Sequence, residues 1–253
     1  MLWYVACSNK ILQGSLENTM IPDSYLYLLV DIACLAFPLF FSFFKRFYFI
    51  HQLKRFAVGS LLTGSFFIFW DILFTDQGIW SFNPRYICGI YFFNLPIEEV
   101  FFFFFIPYAS VFTWHCMHQL TNVSRFNRLF SKIASVLGIA LFITAIFNLT
   151  RLYTSVTFFL TAFALFGLGW KKPRWTAEFF IAFLLILIPF FISNGILTGA
   201  FTEEPVVKYN PLFNLGIRMI TIPVEDTFYG MLLILGNIAG FHIYQGNYGL
   251  KNR

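Results

Sequence analysis

The sequence contains few charged residues. Asp, Glu, Lys and Arg supply only 11% of its 253 residues, whereas 58% are hydrophobic and phenylalanine alone occupies 38 positions. Too few polar side chains remain to cover a water-facing surface, which excludes an ordinary soluble domain. This composition is typical of a chain that crosses a membrane several times.

Other absences exclude further classes of function. The tight glycine pair at Gly167 and Gly169 is followed by Trp170-Lys171-Lys172 and not by a helix that opens on another glycine, so the chain carries no dinucleotide or phosphate loop. The four cysteines are scattered and form neither a disulfide framework nor a zinc pattern. The basic residues behind the net charge of +5 lie between hydrophobic stretches, which indicates a role in membrane topology and not a nucleic-acid partner.

Seven apolar stretches approach the length that a helix needs to cross the hydrocarbon core. They are residues 25–44, 56–74, 95–114, 133–148, 152–170, 177–197 and 219–243. The fourth is the shortest, and a tilted or interfacial piece there would change the count. With the N-terminus outside, twelve of the seventeen Lys and Arg residues fall on the cytoplasmic side, which favours seven spans and a cytoplasmic C-terminus.

An internal repeat relates the two halves of the chain. Shifting by 127 residues takes Asn83-Pro84, Gly89-Ile90 and Pro96-Ile97-Glu98-Glu99 to Asn210-Pro211, Gly216-Ile217 and Pro223-Val224-Glu225-Asp226, without a gap. Upstream, Asp71 corresponds to Asn194 near the end of the preceding span. Since one span lies between the repeats, both have the same orientation about an axis along the membrane normal. The sequence therefore predicts an all-α membrane protein of about seven transmembrane helices, built from two three-helix repeats in parallel orientation with one connecting helix.

Five segments follow from this repeat. Residues 1–23 form an N-terminal extension that lacks the charged start, apolar middle and cleavage site of a signal peptide, and Met20 is an alternative start. Residues 24–117 form the first repeat, 118–150 the connecting segment with the fourth helix, 151–245 the second repeat and 246–253 a C-terminal tail.

The repeated motifs place two pairs of acids at the ends of apolar spans, namely Glu98 with Glu99 and Glu225 with Asp226. A carboxylate inside a membrane span costs about 3 kcal/mol, so such a residue normally faces the bundle interior and has a function. Two adjacent buried carboxyl groups do not both ionise easily. Each pair is therefore suited to hold one proton and one charge.

Aromatic residues lie three and four positions beyond the first acid of each pair, which is one helical turn; they are Phe101, Phe102, Phe228 and Tyr229. Desolvated aromatic faces attract cations by about 2 kcal/mol. An acid that can give up a proton, a second carboxylate and aromatic walls together indicate a site that protonates an alkene and shields the resulting carbocation from water.

These motifs resemble those of the integral-membrane lycopene cyclases, which occur as two-subunit bacterial enzymes, as fused single chains and joined to phytoene synthase in fungi. The resemblance covers residues 25–243 and rests on Trp70-Asp71, on the segment 78–84 and on the duplicated Pro-x-Glu-(Glu/Asp) motif. The chain is similar to the fused form. The resemblance implies a redox-neutral closure of rings on the ψ ends of lycopene, with β-rings as the commonest product and γ-carotene as the one-ring intermediate.

The resemblance also implies roles for residues and partners. We expect Glu98 or Glu225 to donate the proton, and Glu99 or Asp226 to stabilise the cation or to receive the later proton. The expected cavity residues are Asp71, Asn83, Pro96, Phe101, Phe102, Asn194, Asn210, Pro223, Phe228 and Tyr229. We expect lycopene and other apolar carotenoids as ligands within membrane lipid, a location in the bacterial cytoplasmic membrane, and no nucleic acid, metal or redox cofactor. A homo-oligomer, or contact with other enzymes of the carotenoid pathway, stays open.

Two other functions stay open as alternatives. An intramembrane glutamate protease of prenylated proteins also uses a Glu-Glu pair, but its motif has an Arg four residues beyond the second Glu, where this chain has Phe103. A proton-coupled transporter uses carboxyl pairs in bundles built from repeats. It would need a polar, water-accessible path, whereas the neighbours of both acid pairs are aromatic and aliphatic.

Overall fold

The computed structural model describes residues 22–249, of which residues 244–249 are described by their backbone alone. Most of the predicted N-terminal extension and the end of the predicted tail therefore lie outside the described residues. Seven α-helices follow one another in this part of the chain: α1 (Leu26–Ser42), α2 (Leu53–Asp76), α3 (Ile97–Leu120), α4 (Asn127–Phe147), α5 (Leu152–Lys171), α6 (Thr176–Leu197) and α7 (Val224–Gly249). Helices α1 to α6 are long and apolar enough to cross a membrane. The predicted helical membrane architecture is confirmed.

The fourth and seventh helices differ from the predicted spans. Helix α4 has 21 residues, so it is longer than the predicted stretch and long enough to cross a membrane. Helix α7 begins at Val224 and not at residue 219, because the preceding residues form a hairpin. Ile220 at its tip adopts φ 62°, a left-handed conformation that a helix cannot contain.

Six short strands occupy the loops of the described chain: β1 (Trp80–Phe82), β2 (Tyr91–Phe92), β3 (Leu95–Pro96), β4 (Val207–Tyr209), β5 (Arg218–Met219) and β6 (Ile222–Pro223). Strand β1 pairs antiparallel with β4, with Trp80 opposite Tyr209, and this pairing joins the loops of the two halves. Strands β2 and β3 form one hairpin, and β5 and β6 form another.

These two hairpins are copies of each other and show the internal repeat in three dimensions. Tyr91 lies opposite Pro96 in the first hairpin, and Arg218 lies opposite Pro223 in the second. The tip residue of the first, Phe93, has φ 56°, close to that of Ile220 at the tip of the second. In each half a loop carbonyl accepts the first helical N–H, from Ile97 to Ile90 at 2.8 Å and from Val224 to Ile217 at 3.0 Å. Both acid pairs consequently lie in the first turn of a helix, α3 or α7. We call this end of the bundle the acid end.

Helices α2 and α7 pack antiparallel and very closely. A Cβ atom added at Gly59 would lie 2.9 Å from the carbonyl oxygen of Asn237, and one added at Gly240 would lie 2.5 Å from the Cα of Gly59. Small residues of this kind let helix backbones approach each other within a membrane. This contact joins the first repeat to the second along most of the bundle.

Two clusters of buried side chains fill the bundle. One lies at the acid end and includes Trp70, Trp80 and Tyr153, and the other lies toward the opposite end and includes Trp114 and Phe179. The first cluster contains residues from both repeats, so the loops and helix ends of the two halves share one core there.

Candidate active site

The first acid of each pair is fixed to the loop that precedes its helix. Glu98 Oε1 accepts the backbone N–H of Cys88 at 2.7 Å, and Glu225 Oε1 accepts that of Leu215 at the same distance. Both side chains are fully buried. Thr154 adds a hydroxyl donor to Glu225 Oε1 at 2.6 Å. These two glutamates therefore bind the loop backbone, and neither lines the cavity described below.

The second acid of each pair accepts a phenol from the first helix of its own repeat. The Tyr27 hydroxyl donates to Glu99 Oε2 at 2.5 Å, and the Tyr153 hydroxyl donates to Asp226 Oδ1 at 2.6 Å. Because α1 runs parallel to α3, and α5 runs parallel to α7, the two contacts have the same arrangement in both halves.

Glu99 and Asp226 meet in one cavity of about 660 Å³ at the acid end. The two carboxyl groups are near enough to interact electrostatically. Aromatic and polar side chains from both halves complete this part of the wall, namely Tyr27, Asp71, Trp80, Phe82, Phe102, Tyr153, Asn194, Tyr209 and Tyr229. The two repeats thus build one site together, with one acid from each.

The two acids have different surroundings. Asp226 accepts three hydrogen bonds, from Tyr153, from the Tyr209 hydroxyl at 2.8 Å and from Asn194 Nδ2 at 2.9 Å. Hydrogen bonds donated to a carboxylate stabilise its charged form. Burial raises the pKa of the Tyr209 phenol well above its usual range, so this group stays a donor. Phe82 stands at the position in the first half that corresponds to Tyr209. Within residues 22–249, Glu99 accepts one side-chain hydrogen bond, from the Tyr27 hydroxyl.

Glu99 lies among further acids of the first half. Asp31 and Asp71 are buried, and neither Asp31 oxygen nor Asp71 Oδ2 has a hydrogen-bond partner among the described residues. Within residues 22–249, no Lys, Arg or His forms an ion pair with Glu99, Asp31 or Asp71. Several carboxylates cannot all stay ionised in an apolar interior without a counter-charge. This group of acids is therefore suited to hold protons.

The aromatic residues predicted from the sequence divide into two sets. Phe102 and Tyr229 line the cavity, and the Tyr229 ring lies 5.0 Å from that of Trp70. Phe101 stacks on Phe105 at the edge of the bundle, and Phe228 packs edge-on against a neighbouring ring of α5. Only one residue of each predicted aromatic pair therefore faces the site.

The remaining predicted residues shape the loops around the site. Asn83 Oδ1 accepts the Arg85 N–H, and Asn210 Oδ1 accepts the Leu212 N–H, both at 3.1 Å. Pro96 and Pro223 are buried strand residues that precede α3 and α7. None of these Asn and Pro side chains lines the cavity, whereas Asp71 and Asn194 do.

Five residues of this part of the wall were not predicted as cavity residues from the sequence: Tyr27, Trp80, Phe82, Tyr153 and Tyr209. A signal was present for two of them, because Tyr27 and Tyr153 hold nearly the same position in the first helix of each repeat. Trp80 and Tyr209 come together only through the pairing of β1 with β4, which links residues far apart in the chain.

Within the described part of the chain, no group of three or more His, Cys, Asp or Glu side chains could hold a metal ion. His118, near the end of α3, instead contacts the buried Glu178 at 2.8 Å, far from the acid end. The expected independence from metals and cofactors stays a prediction.

A family model described as lycopene cyclase matches residues 24–117 and 150–244, which together make up more than half of the chain. The two matched regions correspond to the two halves that share the cavity. Neither a curated protein nor a solved structure matches the chain.

Proposed function

Because the chain belongs to the lycopene cyclase family, we propose that it closes β-rings on both ψ ends of lycopene, with γ-carotene as the one-ring intermediate. The observation that carries this proposal is the shared cavity, in which Glu99 of one repeat and Asp226 of the other lie among aromatic side chains. The conversion leaves the molecular formula unchanged, so it needs a proton that is added and a proton that is removed, and no oxidant or reductant.

We assign the first proton transfer to Glu99. Its O–H bond breaks as the proton adds to the terminal double bond of the ψ end, which leaves a tertiary carbocation and a Glu99 carboxylate. The electron pair of the neighbouring internal double bond then attacks the cation and closes a six-membered ring. Glu99 suits this role because it faces the cavity among other acids and has a single phenol partner.

Asp226 is suited to the opposite role. Three donors stabilise it as an anion beside the cavity, where it offsets the positive charge of the carbocation. Loss of a proton from the ring to this carboxylate produces the ring double bond. Return of that proton to Glu99 restores the site for the next cycle.

The sequence alone favoured Glu98 or Glu225 as the donor. Both bind loop backbone and do not line the cavity. We therefore assign proton donation and proton removal to the second acid of each pair. The first acids become positioning residues, which hold the loop and the start of the helix in register.

The walls of the cavity support the same reaction. The rings of Trp80, Tyr153 and Tyr229 are mutual neighbours, and Trp80 comes from the first half whereas the two tyrosines come from the second. Aromatic faces stabilise a cation without reacting as a carboxylate or water would. Exclusion of water is necessary because a carbocation captured by water would give an alcohol and not a ring.

We further propose that the acid end lies on the outer side of a bacterial cytoplasmic membrane and that the C-terminus lies in the cytoplasm. The loops and helix ends at the opposite end carry most of the basic residues, including Lys45 and Arg46 after α1 and Lys54 and Arg55 in the first turn of α2. Such a bias favours a cytoplasmic location for that end. Lycopene, which dissolves in the bilayer, would reach the site without crossing water.

Expression in a bacterium that accumulates lycopene, followed by chromatography of its pigments, tests the proposed function. We expect γ-carotene and β-carotene to replace lycopene. The purified protein, supplied with lycopene and no added flavin, nicotinamide or metal, should give the same products. Unchanged lycopene in cells that contain the folded protein would contradict the proposal, and ε- or γ-rings would contradict the ring type alone.

A further inference from the structure

The cavity extends well beyond the two acids, into the interior of the bundle. On α3 its wall runs from Glu99 to Thr113, by way of Ile106 and Ala109. The fourteen residue steps from Glu99 to Thr113 correspond to about 21 Å along the helix axis. Phe190 and Ile186 of α6 form part of the facing wall. We call this inner part, between α1, α3 and α6, the inner groove. It is far longer than the ring that the reaction closes.

The inner groove exists because the two repeats pack differently. The α2–α7 contact is closed by Gly236 and Gly240, and a Cβ atom at Gly236 would lie 2.9 Å from Thr63 Cγ2. The repeat relates this contact to the one between α6 and α3. There the positions that correspond to the two glycines hold Ala109 and Thr113, and both line the groove. The larger side chains at these two positions thus leave the contact between α3 and α6 open, whereas glycine lets α2 and α7 close against each other.

The groove also opens sideways between α1 and α6. Phe37 and Ile192 line it and are 65% and 59% exposed on the outer face of the bundle. Pro38 and Pro189 lie within these two helices and also line the groove. A proline inside a helix removes a backbone hydrogen bond and bends the helix. In a bilayer crossed by these helices, the opening would face lipid.

We propose that the inner groove holds the hydrocarbon chain of the linear polyene substrate, which enters from lipid between α1 and α6 with one end directed at Glu99 and Asp226. This inference rests on the proposed function and extends it. The corresponding route between α2 and α7 is closed at Gly59, Gly236 and Gly240. One acid site served by one groove accepts one end at a time, so the two ends of the substrate are cyclised in separate binding events.

The test compares two substrates in a groove-filling variant. Ala109→Phe narrows the groove at a point distant from the acids, and Ala140→Phe makes the same change at an exposed position of α4. The substrates are full-length lycopene and a shortened polyene that carries one ψ end. We expect Ala109→Phe to lower the conversion of lycopene by about tenfold or more and that of the shortened polyene much less. Ala140→Phe should change neither.

A smaller change, Ala109→Leu, is measured beside the first and should show the same selectivity to a lesser degree. The amount of folded protein is compared by gel filtration in detergent. If folded Ala109→Phe and Ala109→Leu lost conversion of both substrates equally, the proposed role of the inner groove would be contradicted. Unchanged conversion of lycopene in these variants would contradict it too. If the wild-type protein converts neither substrate, the proposed function fails instead, so the two failures can be distinguished.

Discussion

The change of Glu99 to Gln tests the proposed proton donor directly. Gln has almost the shape of Glu, and its carbonyl oxygen can still accept the Tyr27 hydroxyl, which lies 2.5 Å from Glu99 Oε2. The variant therefore keeps the hydrogen bond and loses only the transferable proton. Loss of a general acid lowers rates by about 10²–10⁴-fold, or about 3–5 kcal/mol in the activation barrier. We expect the rate of cyclisation to fall by a factor in this range.

Glu98→Gln provides a matched control, because it makes the same change at the adjacent residue. Its carbonyl oxygen can still accept the Cys88 N–H, which lies 2.7 Å from Glu98 Oε1. Since Glu98 does not line the cavity, we expect a rate within about threefold of wild type, the effect of less than 1 kcal/mol.

Initial rates are measured with purified protein in detergent and excess lycopene, by chromatography of the pigments. The absorption spectrum of bound lycopene reports whether each variant still binds substrate. We expect Glu99→Gln to bind lycopene without converting it. The reasoning would be refuted if Glu98→Gln lost activity and Glu99→Gln kept it, because the cavity wall would then not identify the donor.

Three further predictions follow from the structure. Tyr209→Phe removes one of the three donors to Asp226, and since a hydrogen bond to a charged group contributes about 1.5–3 kcal/mol, cyclisation should slow by about 10–100-fold in the same assay. Gly59→Ala adds a Cβ atom 2.9 Å from a carbonyl oxygen of α7 and should lower the free energy of unfolding by about 1–3 kcal/mol, as followed by thermal unfolding in detergent. Gly167→Ala, which meets nothing within 4 Å, is its control and should raise stability by up to about 1 kcal/mol. In a time course with excess lycopene, free γ-carotene should accumulate first and then decline; β-carotene formed from the start without free γ-carotene would contradict separate binding events.

The helical repeat could be predicted from the sequence because its signals are local. Hydrophobic length identifies a span, and a motif that recurs at constant spacing identifies a copy. The hairpins before α3 and α7 were harder to predict, since most of their residues are apolar and continue the pattern of the following helix. Ile220 is an example: it lies inside the predicted seventh span, yet its left-handed backbone ends a hairpin.

The direction of each acid could not be predicted, because adjacent helical residues point about 100° apart. Glu98 and Glu99 are the same residue type and both are buried. Only the packing of α1 and α6 against α3 decides which of them faces the cavity. The same holds for Phe101 and Phe102. Tyr209 lies outside any helix and reaches Asp226 through a strand pairing between the halves, for which the sequence contains no local signal.

In the mechanism that we propose, the differences between the two repeats give Glu99 and Asp226 their different roles. Two identical halves would place two equivalent carboxyl groups in one cavity, and neither would preferentially hold the proton. Here Asn194 replaces the acid at the position of Asp71, and Tyr209 replaces Phe82, so both substitutions add a donor to Asp226 and none to Glu99. The second half thereby favours the anion, and the acids of the first half favour a bound proton. A reaction that starts with proton donation and ends with proton removal needs this inequality at one and the same pH, which explains why a repeat-built site benefits from having lost its symmetry.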